Sequence, residues 1–272
     1  MNNFVKRSLS GFFFVTLIVG SILLNRFAFL VVFAIITGWT VSEFHKLTNL
    51  QKDIKVMPGI ASISAIILFL TSFFYASGIL PFMVFSIYAI CFVIILISEL
   101  FQKKVNPVHN WAYFILGQIF IALPFSLLNF ILFIDSWQPF ILLAVFVVIW
   151  LNDTGAYLVG VNFGKHKMFK RISPKKSWEG FVGGAVAALF SGYFFSLLIP
   201  QINLLNWIIF SEIIVIFGTF GDLIESLLKR TLNVKDSGNV IPGHGGLLDR
   251  FDSMLLVTPV VFMFLCYLYS NR

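Results

Sequence analysis

Charged residues and cysteines are scarce in this sequence, and Pro-rich linkers are absent. Of its 272 residues, 11% are charged and 59% are hydrophobic, which excludes the solvated surface of an ordinary soluble enzyme. The two cysteines, Cys91 and Cys266, lie far apart in apolar runs, so neither a disulfide framework nor a thiolate metal site is predicted. No clear internal repeat is present, which argues mildly against a transporter built from inverted repeats.

Apolar runs fill most of the chain instead. The mean hydropathy is +0.95, and 34 residues are phenylalanine. These runs predict an all-α fold, a polytopic integral membrane bundle of about nine transmembrane helices. The predicted spans are roughly 9–24, 27–44, 60–77, 80–100, 112–134, 138–158, 180–199, 204–226 and 253–269. We expect one membrane domain, 1–272, in which 1–150 is mainly scaffold and 150–252 is the catalytic region.

The basic residues indicate how the chain is oriented. All 19 lysines and arginines except Arg26 and Arg272 fall on the side of the N-terminus. Because cytoplasmic loops collect Lys and Arg, the N-terminus and these loops are predicted to be cytoplasmic, in the inner (plasma) membrane of the cell. Topology therefore accounts for the net charge of +7, and no nucleic-acid partner is predicted. The first run follows Lys6 and Arg7 as in a signal peptide, but without a cleavage site it is interpreted as an uncleaved span.

One polar segment, 226–252, stands between the last two spans. Just before and within it, Asp222, Glu225, Ser226 and Lys229 are spaced so that an α-helix would align them in one stripe. Acidic groups are costly in a bilayer, so such a stripe indicates a functional site. The alternative is a frayed helix end with solvated charges.

Glycines and further charges follow the stripe. The glycine-rich stretch 242–246 can bring backbone N–H groups close to phosphate, and Asp249 and Asp252 would share a helical face. Carboxylates without histidine or thiolate partners suit Mg²⁺, which Asp222 and Asp249 could hold from two helices. Four basic residues are predicted to meet phosphate oxygens: Lys229, Arg230, Lys235 and Arg250. For His244, a hydrogen-bonding role in the loop is favoured over direct catalysis.

A second polar cluster lies between predicted spans six and seven. It begins with Asp153, expected to be buried near the end of span six, and continues to Lys175, Lys176 and Ser177. Its basic residues could simply bind anionic lipid head groups. Because both clusters lie on the same predicted membrane side, a shared site is the preferred interpretation.

These two clusters resemble a known family. Ser226-x-Leu228-Lys229-Arg230, Lys235-Asp236-x-Gly238 and Ile241-Pro242-x-His244-Gly245-Gly246-Leu247-x-Asp249-Arg250-Phe251-Asp252 are similar to the signature of the phosphatidate cytidylyltransferases. Asp153-x-x-Ala156-Tyr157 and the stretch 173–180 also resemble that family. The resemblance implies a nucleotidyltransferase of phospholipid biosynthesis that converts CTP and phosphatidic acid to CDP-diacylglycerol and pyrophosphate at a lipid membrane.

The resemblance also implies particular site residues. It places the metal-binding aspartates at Asp222 and Asp249 and a hydroxyl near the metal at Ser226. It further implies Mg²⁺ dependence, a homodimer and, as an option, a second monovalent cation such as K⁺. The predicted catalytic residues are Asp222, Asp249, Lys229 and Arg250, and the predicted metal ligands are Asp222, Asp249, Asp252 and Ser226. The predicted substrate-binding residues are Asp153, Lys175, Lys176, Ser177, Arg230, Lys235, His244, Gly245 and Gly246.

Two other functions stay open at this point. Another CTP-dependent lipid enzyme, such as a polyprenol kinase, would transfer the γ-phosphoryl group instead. An ion-coupled transporter would use Asp222, Glu225, Asp153 and Glu212 as an ion path, but its carboxylates should lie near the middle of several spans. No role is assigned to Glu99 or Glu212.

The predicted topology can be tested at the C-terminus. A nine-span chain with a cytoplasmic N-terminus ends outside, so a cysteine in the variant Ser270→Cys should be labelled by a membrane-impermeant thiol reagent added to intact cells. The parent chain, treated in the same way, is the control. Protection of this cysteine in intact cells, with labelling only after lysis, would contradict the nine-span topology.

Overall fold

The fold is helical over nearly its whole length. The computed structural model describes residues 3–238, 240 and 245–270. The helices are α1 (Asn3–Leu24), α2 (Arg26–Thr48), α3 (Pro58–Ala76), α4 (Phe85–Ser98), α5 (Pro107–Gly117), α6 (Leu123–Leu132), α7 (Pro139–Phe163), α8 (Trp178–Leu198), α9 (Leu204–Thr231) and α10 (Leu248–Ser270). Turns of 3₁₀-helix at Phe82–Val84 and Glu99–Phe101 flank α4, and a π-helical turn at Gln118–Ala122 joins α5 to α6.

The prediction of a polytopic membrane protein is confirmed. Within the described residues, 8 helical segments are long and apolar enough to cross a bilayer, with α4 and its 3₁₀ turns forming one and α5–α6 another. The remaining predicted span corresponds to Leu9–Leu24 of α1, a shorter apolar helix. Which membrane side each loop occupies stays a prediction.

The chain forms two compact units. One comprises Met1–Gln138 with Leu232–Phe251, and the other comprises Pro139–Thr231 with Asp252–Arg272. The predicted single membrane domain with a catalytic region at 150–252 stays a prediction.

Aromatic side chains form the core of the first unit. Phe29, Phe33, Phe69, Phe73 and Phe125 are fully buried. The ring centroids of Phe29 and Phe33 lie 4.5 Å apart, and those of Phe29 and Phe69 lie 6.0 Å apart. Such ring pairs add about 0.5–1.5 kcal/mol beyond their buried area, and the Phe29–Phe69 pair joins α2 to α3.

Glu99, to which the sequence assigns no role, holds the loop after α4. Its Oε1 lies 2.6 Å from Lys104 Nζ, and its Oε2 accepts a hydrogen bond of 3.1 Å from Asn110 Nδ2. Asn110 Oδ1 in turn accepts a bond of 2.7 Å from the backbone N–H of Lys55. Glu99 therefore ties three segments of the first unit together, which is a structural role.

In the second unit, α7 and α8 approach closely through small residues. A Cβ added to Gly184 of α8 would lie 2.9 Å from the backbone oxygen of Asn152 on α7 and closer still to its Oδ1. A Cβ added to Gly155 would lie 2.7 Å from the backbone oxygen of Gly183. Small residues let helix backbones approach in membranes, and here they bring the carboxyl end of α7 against the amino end of α8.

A two-stranded sheet follows α7, which an all-α prediction missed. Strands β1 (Lys167–Phe169) and β2 (Ser173–Ser177) pair antiparallel, with Lys167 opposite Ser177. The stretch is too short and too basic to show a clear period-two pattern, which is the sequence signal for a strand. The hairpin carries several of the basic residues of the second polar cluster.

We predict that Gly184→Ala lowers stability. The added methyl group has no room beside Asn152, and overpacking of this kind typically costs about 1–3 kcal/mol. Thermal unfolding in detergent should show a lower midpoint than the wild type.

Gly20→Ala is the matched control, since an added Cβ there meets no atom within 4 Å. In the interior of α1 this change should leave stability unchanged or raise it by up to about 1 kcal/mol. Equal midpoints for Gly184→Ala and wild type would contradict the close approach of α7 and α8.

Candidate active site

The acidic stripe predicted from the sequence lies on one continuous helix. Helix α9 runs to Thr231, beyond the predicted end at 226, so Asp222, Glu225, Ser226 and Lys229 all have helical backbone. The interpretation as a frayed helix end is therefore wrong. Glu225 is fully buried and Lys229 is 9% exposed, so the stripe faces the protein interior.

Three carboxylates of the second unit converge. One oxygen each of Asp222, Glu225 and Asp252 lies within 4.8 Å of the other two. Asp222 and Glu225 come from α9, whereas Asp252 comes from the beginning of α10. Gly221 permits this approach, because a Cβ there would lie 2.5 Å from the backbone oxygen of Asp252. Three hard oxygen ligands at this separation fit a divalent cation such as Mg²⁺.

Two lysines and a hydroxyl accompany this acidic cluster. Lys176 Nζ lies 2.5 Å from Asp222 Oδ2, and Lys229 Nζ lies 2.6 Å from Glu225 Oε2. Ser226 Oγ donates a hydrogen bond of 3.2 Å to Asp222 Oδ1, which puts the predicted hydroxyl beside the cluster. Buried carboxylates need such partners, since an unpaired charge in the interior is strongly destabilising.

A cavity of about 260 Å³ opens beside Asp222 in the same unit. Residues of α7, the hairpin, α8 and α9 line it: Asn152, Asp153, Ala156, Tyr157, Gly160, Met168, Lys175, Lys176, Ser177, Gly180, Phe181, Thr219 and Asp222. The 153–180 cluster and the α9 stripe therefore meet in one cavity. Lys176 joins them, because it lines the cavity and is paired with Asp222.

One residue of this cavity, Asp153, differs from its predicted setting, and another, Ser177, has a structural role that the sequence did not predict. Asp153 is exposed rather than buried, and it is the adjacent Asn152 that is buried. Helix α7 rotates by about 100° per residue, which separates neighbours in this way. Ser177 Oγ accepts a hydrogen bond of 3.2 Å from the N–H of Gly180, so it caps α8. Its predicted contact with substrate stays a prediction.

Glu179 anchors the hairpin, a role that the sequence did not suggest. Its carboxylate accepts hydrogen bonds of 3.2 Å from the N–H groups of Lys165 and His166, and its Oε1 lies 2.5 Å from His166 Nδ1. Glu179 thereby fixes the start of the hairpin to the first turn of α8.

Asp249 belongs to the first unit, where it binds the backbone at Ser237 and Gly246. Its Oδ2 accepts backbone hydrogen bonds from Ser237 (2.9 Å) and Gly246 (2.8 Å). Gly245 has φ of +83°, a left-handed conformation that favours glycine. Metal binding by Asp249 stays a prediction.

The structure describes three of the other predicted binding residues of segment 226–252, but not the fourth. Arg230, Lys235 and Arg250 are exposed, and their phosphate contacts stay predictions. His244 lies outside the described residues.

Comparison with known proteins decides the family. Residues 5–268 match the cytidylyltransferase family. The chain belongs to this family. The resemblance seen in the two polar clusters is confirmed, and the match extends over the scaffold helices as well.

Bacterial relatives carry a more specific name. The phosphatidate cytidylyltransferase of Bacillus subtilis (strain 168) is 38% identical over 239 residues, which cover 85% of this chain and 86% of the relative. Phosphatidate cytidylyltransferases of Staphylococcus saprophyticus and Staphylococcus haemolyticus (strain JCSC1435) are 47% and 48% identical over 122 residues, 44% of this chain and 46% of each relative. Family membership makes the ion-coupled transporter a poor interpretation of the acidic stripe.

Sequence reasoning placed Glu225 on the stripe but left it out of the metal ligands. The structure instead places it in the acidic cluster with Asp222 and Asp252. Its spacing of three residues from Asp222 was a usable signal, because residues three apart share a helical face. Which carboxylate of α10 would join them depended on tertiary structure.

The acidic cluster is predicted to bind a divalent cation. Asp222→Asn, Glu225→Gln and Asp252→Asn should each weaken Mn²⁺ binding by at least about tenfold, because each removes one anionic ligand. Electron paramagnetic resonance of the purified protein titrated with Mn²⁺ measures this. Glu212→Gln, a carboxylate change on the same helix outside the cluster, is the control. Wild-type affinity in all three variants would contradict the assignment.

Proposed function

We propose that this protein transfers the cytidylyl group of CTP to phosphatidic acid, forming CDP-diacylglycerol and pyrophosphate. Support comes from the family match over residues 5–268 and from the name of the Bacillus relative, aligned over 85% of this chain. The observation that carries the proposal is the cavity that joins a basic hairpin to a carboxylate cluster through Lys176. Such a site suits a triphosphate, a lipid phosphate and a cation.

Mg²⁺ is the proposed cofactor, held by Asp222, Glu225 and Asp252 in the second unit. The donor set supports this choice, because it consists of carboxylate oxygens at mutual distances within 4.8 Å and Mg²⁺ prefers such ligands. When bound, the ion would neutralise phosphate charge and polarise phosphoryl oxygens. Asp249 is kept as a further candidate ligand from the sequence.

The reaction requires little general acid–base catalysis by the protein. A phosphate monoester has a second pKa of about 6, so phosphatidate is largely dianionic at neutral pH. One of its oxygens attacks the α-phosphorus of CTP, the bond to the bridging oxygen breaks, and pyrophosphate leaves with the electron pair. The protein's work is to bring two polyanions together and hold them in line.

The lysines of the cavity are suited to that work. Lys175 is exposed and lines the cavity. Lys176 also lines it and is paired there with Asp222. Ammonium groups at these positions offset repulsion between the lipid phosphate and the triphosphate. Asn152 and Tyr157 also line the cavity and offer hydrogen-bonding groups to a polar head.

The proposal extends to location and assembly. A lipid phosphate at head-group level and a nucleotide from the cytosol require a site at the cytoplasmic face of the inner (plasma) membrane. The distribution of basic residues supports that orientation. A homodimer and a second monovalent cation such as K⁺ rest on the family resemblance alone.

The direct test is a product analysis. Purified protein incubated with Mg²⁺, phosphatidic acid and CTP labelled in cytidine should move the label into the lipid fraction and release pyrophosphate. Asp222→Asn and Asp249→Asn should each lower turnover by about 10²-fold or more, because Asp222 is a proposed metal ligand and Asp249 a further candidate ligand. Glu212→Gln should retain wild-type turnover.

The outcomes separate the alternatives. Label from the γ-phosphate rather than from cytidine in the lipid would indicate a kinase. Folded protein that makes no labelled lipid would contradict the proposal. Near-normal turnover in either aspartate variant would remove that residue from the proposed metal site.

A further inference from the structure

Glu43 is a buried carboxylate on α2 that no motif of the sequence singles out. It is 3% exposed and lies in the first unit, which also contains residues 232–251. Removing a carboxylate from water is costly unless hydrogen bonds compensate for it. The partners of Glu43 therefore indicate what it is for.

The carboxylate of Glu43 binds the beginning of α10. Its Oε2 accepts a hydrogen bond of 2.9 Å from the backbone N–H of Leu248, the first residue of that helix, and a bond of 3.4 Å from Ser237 Oγ. The first N–H groups of a helix have no partner within the helix, and negative charge is favourable there. Glu43 thus caps α10 from a helix about 200 residues earlier in the chain.

Two glycines of the motif lie directly against this carboxylate. A Cβ added to Gly238 would lie 2.9 Å from Glu43 Oε1, and one added to Gly246 would lie 2.5 Å from Glu43 Oε2. A larger residue at either position would meet the Glu43 carboxylate, so either the carboxylate or the backbone would have to shift. Contact with the protein itself thus gives a reason for glycine at both positions, and the predicted role of Gly246 in substrate binding stays a prediction.

Asp249 holds the same two residues that Glu43 contacts. Its Oδ2 accepts hydrogen bonds from the backbone N–H groups of Ser237 and Gly246. Glu43 contacts the Ser237 hydroxyl and leaves no space for a side chain at Gly246. The placement of Asp249 thus depends on a segment that Glu43 keeps in position.

We propose that Glu43 is a positioning residue for the reaction: it holds Ser237, Gly246 and the start of α10 so that Asp249 is correctly placed. The inference rests on the proposed function for its effect on turnover. Its effect on the segment itself can be measured without substrate or metal.

Three substitutions separate reach from charge. Glu43→Ala removes the acceptor, Glu43→Asp keeps the charge but withdraws the oxygen by one methylene, and Glu43→Gln keeps an oxygen acceptor at the same reach. Hydrogen–deuterium exchange of the metal-free protein should be faster over residues 245–249 in the Ala and Asp variants. Exchange in the Gln variant should stay close to wild type.

Turnover should separate the Ala and Asp variants from the Gln variant in the same way. In the Ala and Asp variants kcat should fall by about 10- to 100-fold, since a small misplacement of a catalytic group has effects of this size. KM for phosphatidic acid should stay unchanged, and Glu43→Gln should retain most of kcat. A residue that binds a cation directly would give the reverse order, with Asp better than Gln.

Glu99→Ala is the control, because Glu99 is also a buried carboxylate of the first unit. Its hydrogen bonds come from Lys104 and Asn110 and not from α10. The control variant should leave exchange over 245–249 and kcat at wild-type values below its own unfolding temperature. Wild-type exchange and kcat in Glu43→Ala, or better function in Glu43→Asp than in Glu43→Gln, would overturn the inference. If wild-type protein makes no CDP-lipid, the proposed function fails, and the exchange data still decide the role of Glu43.

Discussion

Pairing of carboxylates inside a helical membrane protein is the interaction on which this structure depends. Most of the chain is apolar, so each buried acidic group needs a nearby cation or N–H donor. Glu225 with Lys229 and Asp222 with Lys176 satisfy this need around the acidic cluster. The same pairs bring a carboxylate cluster and a basic cavity together, so the requirement for stability also creates the chemistry of the site.

Glycine makes this pairing possible by letting backbones approach. Gly184 allows α8 to lie against Asn152 of α7, and Gly221 allows the backbone of Asp252 on α10 to lie against α9. In the first unit, Gly238 and Gly246 leave space for the carboxylate of Glu43. A larger residue at any of these positions would separate the polar groups and leave them with fewer partners.

The proposed chemistry fits a site with many charges and few bases. Phosphatidate reacts as a dianion, so charge neutralisation and alignment matter more than proton transfer. The proposed cation ligands and phosphate-binding lysines would meet that demand. Glu99 shows the contrasting case, since it pairs with Lys104 and Asn110 and holds a loop of the scaffold.

The sequence by itself determined the helical membrane class, the approximate spans and the family, because hydropathy and the fixed residues of a motif are local features. It also placed Asp222, Glu225 and Ser226 on one stripe, since helical spacing is local too. Tertiary structure alone decided that Asp252 joins Asp222 and Glu225, that Lys176 links the hairpin to α9, and that Glu43 caps α10. These contacts join residues far apart in sequence, and only the packed helices bring them within bonding distance.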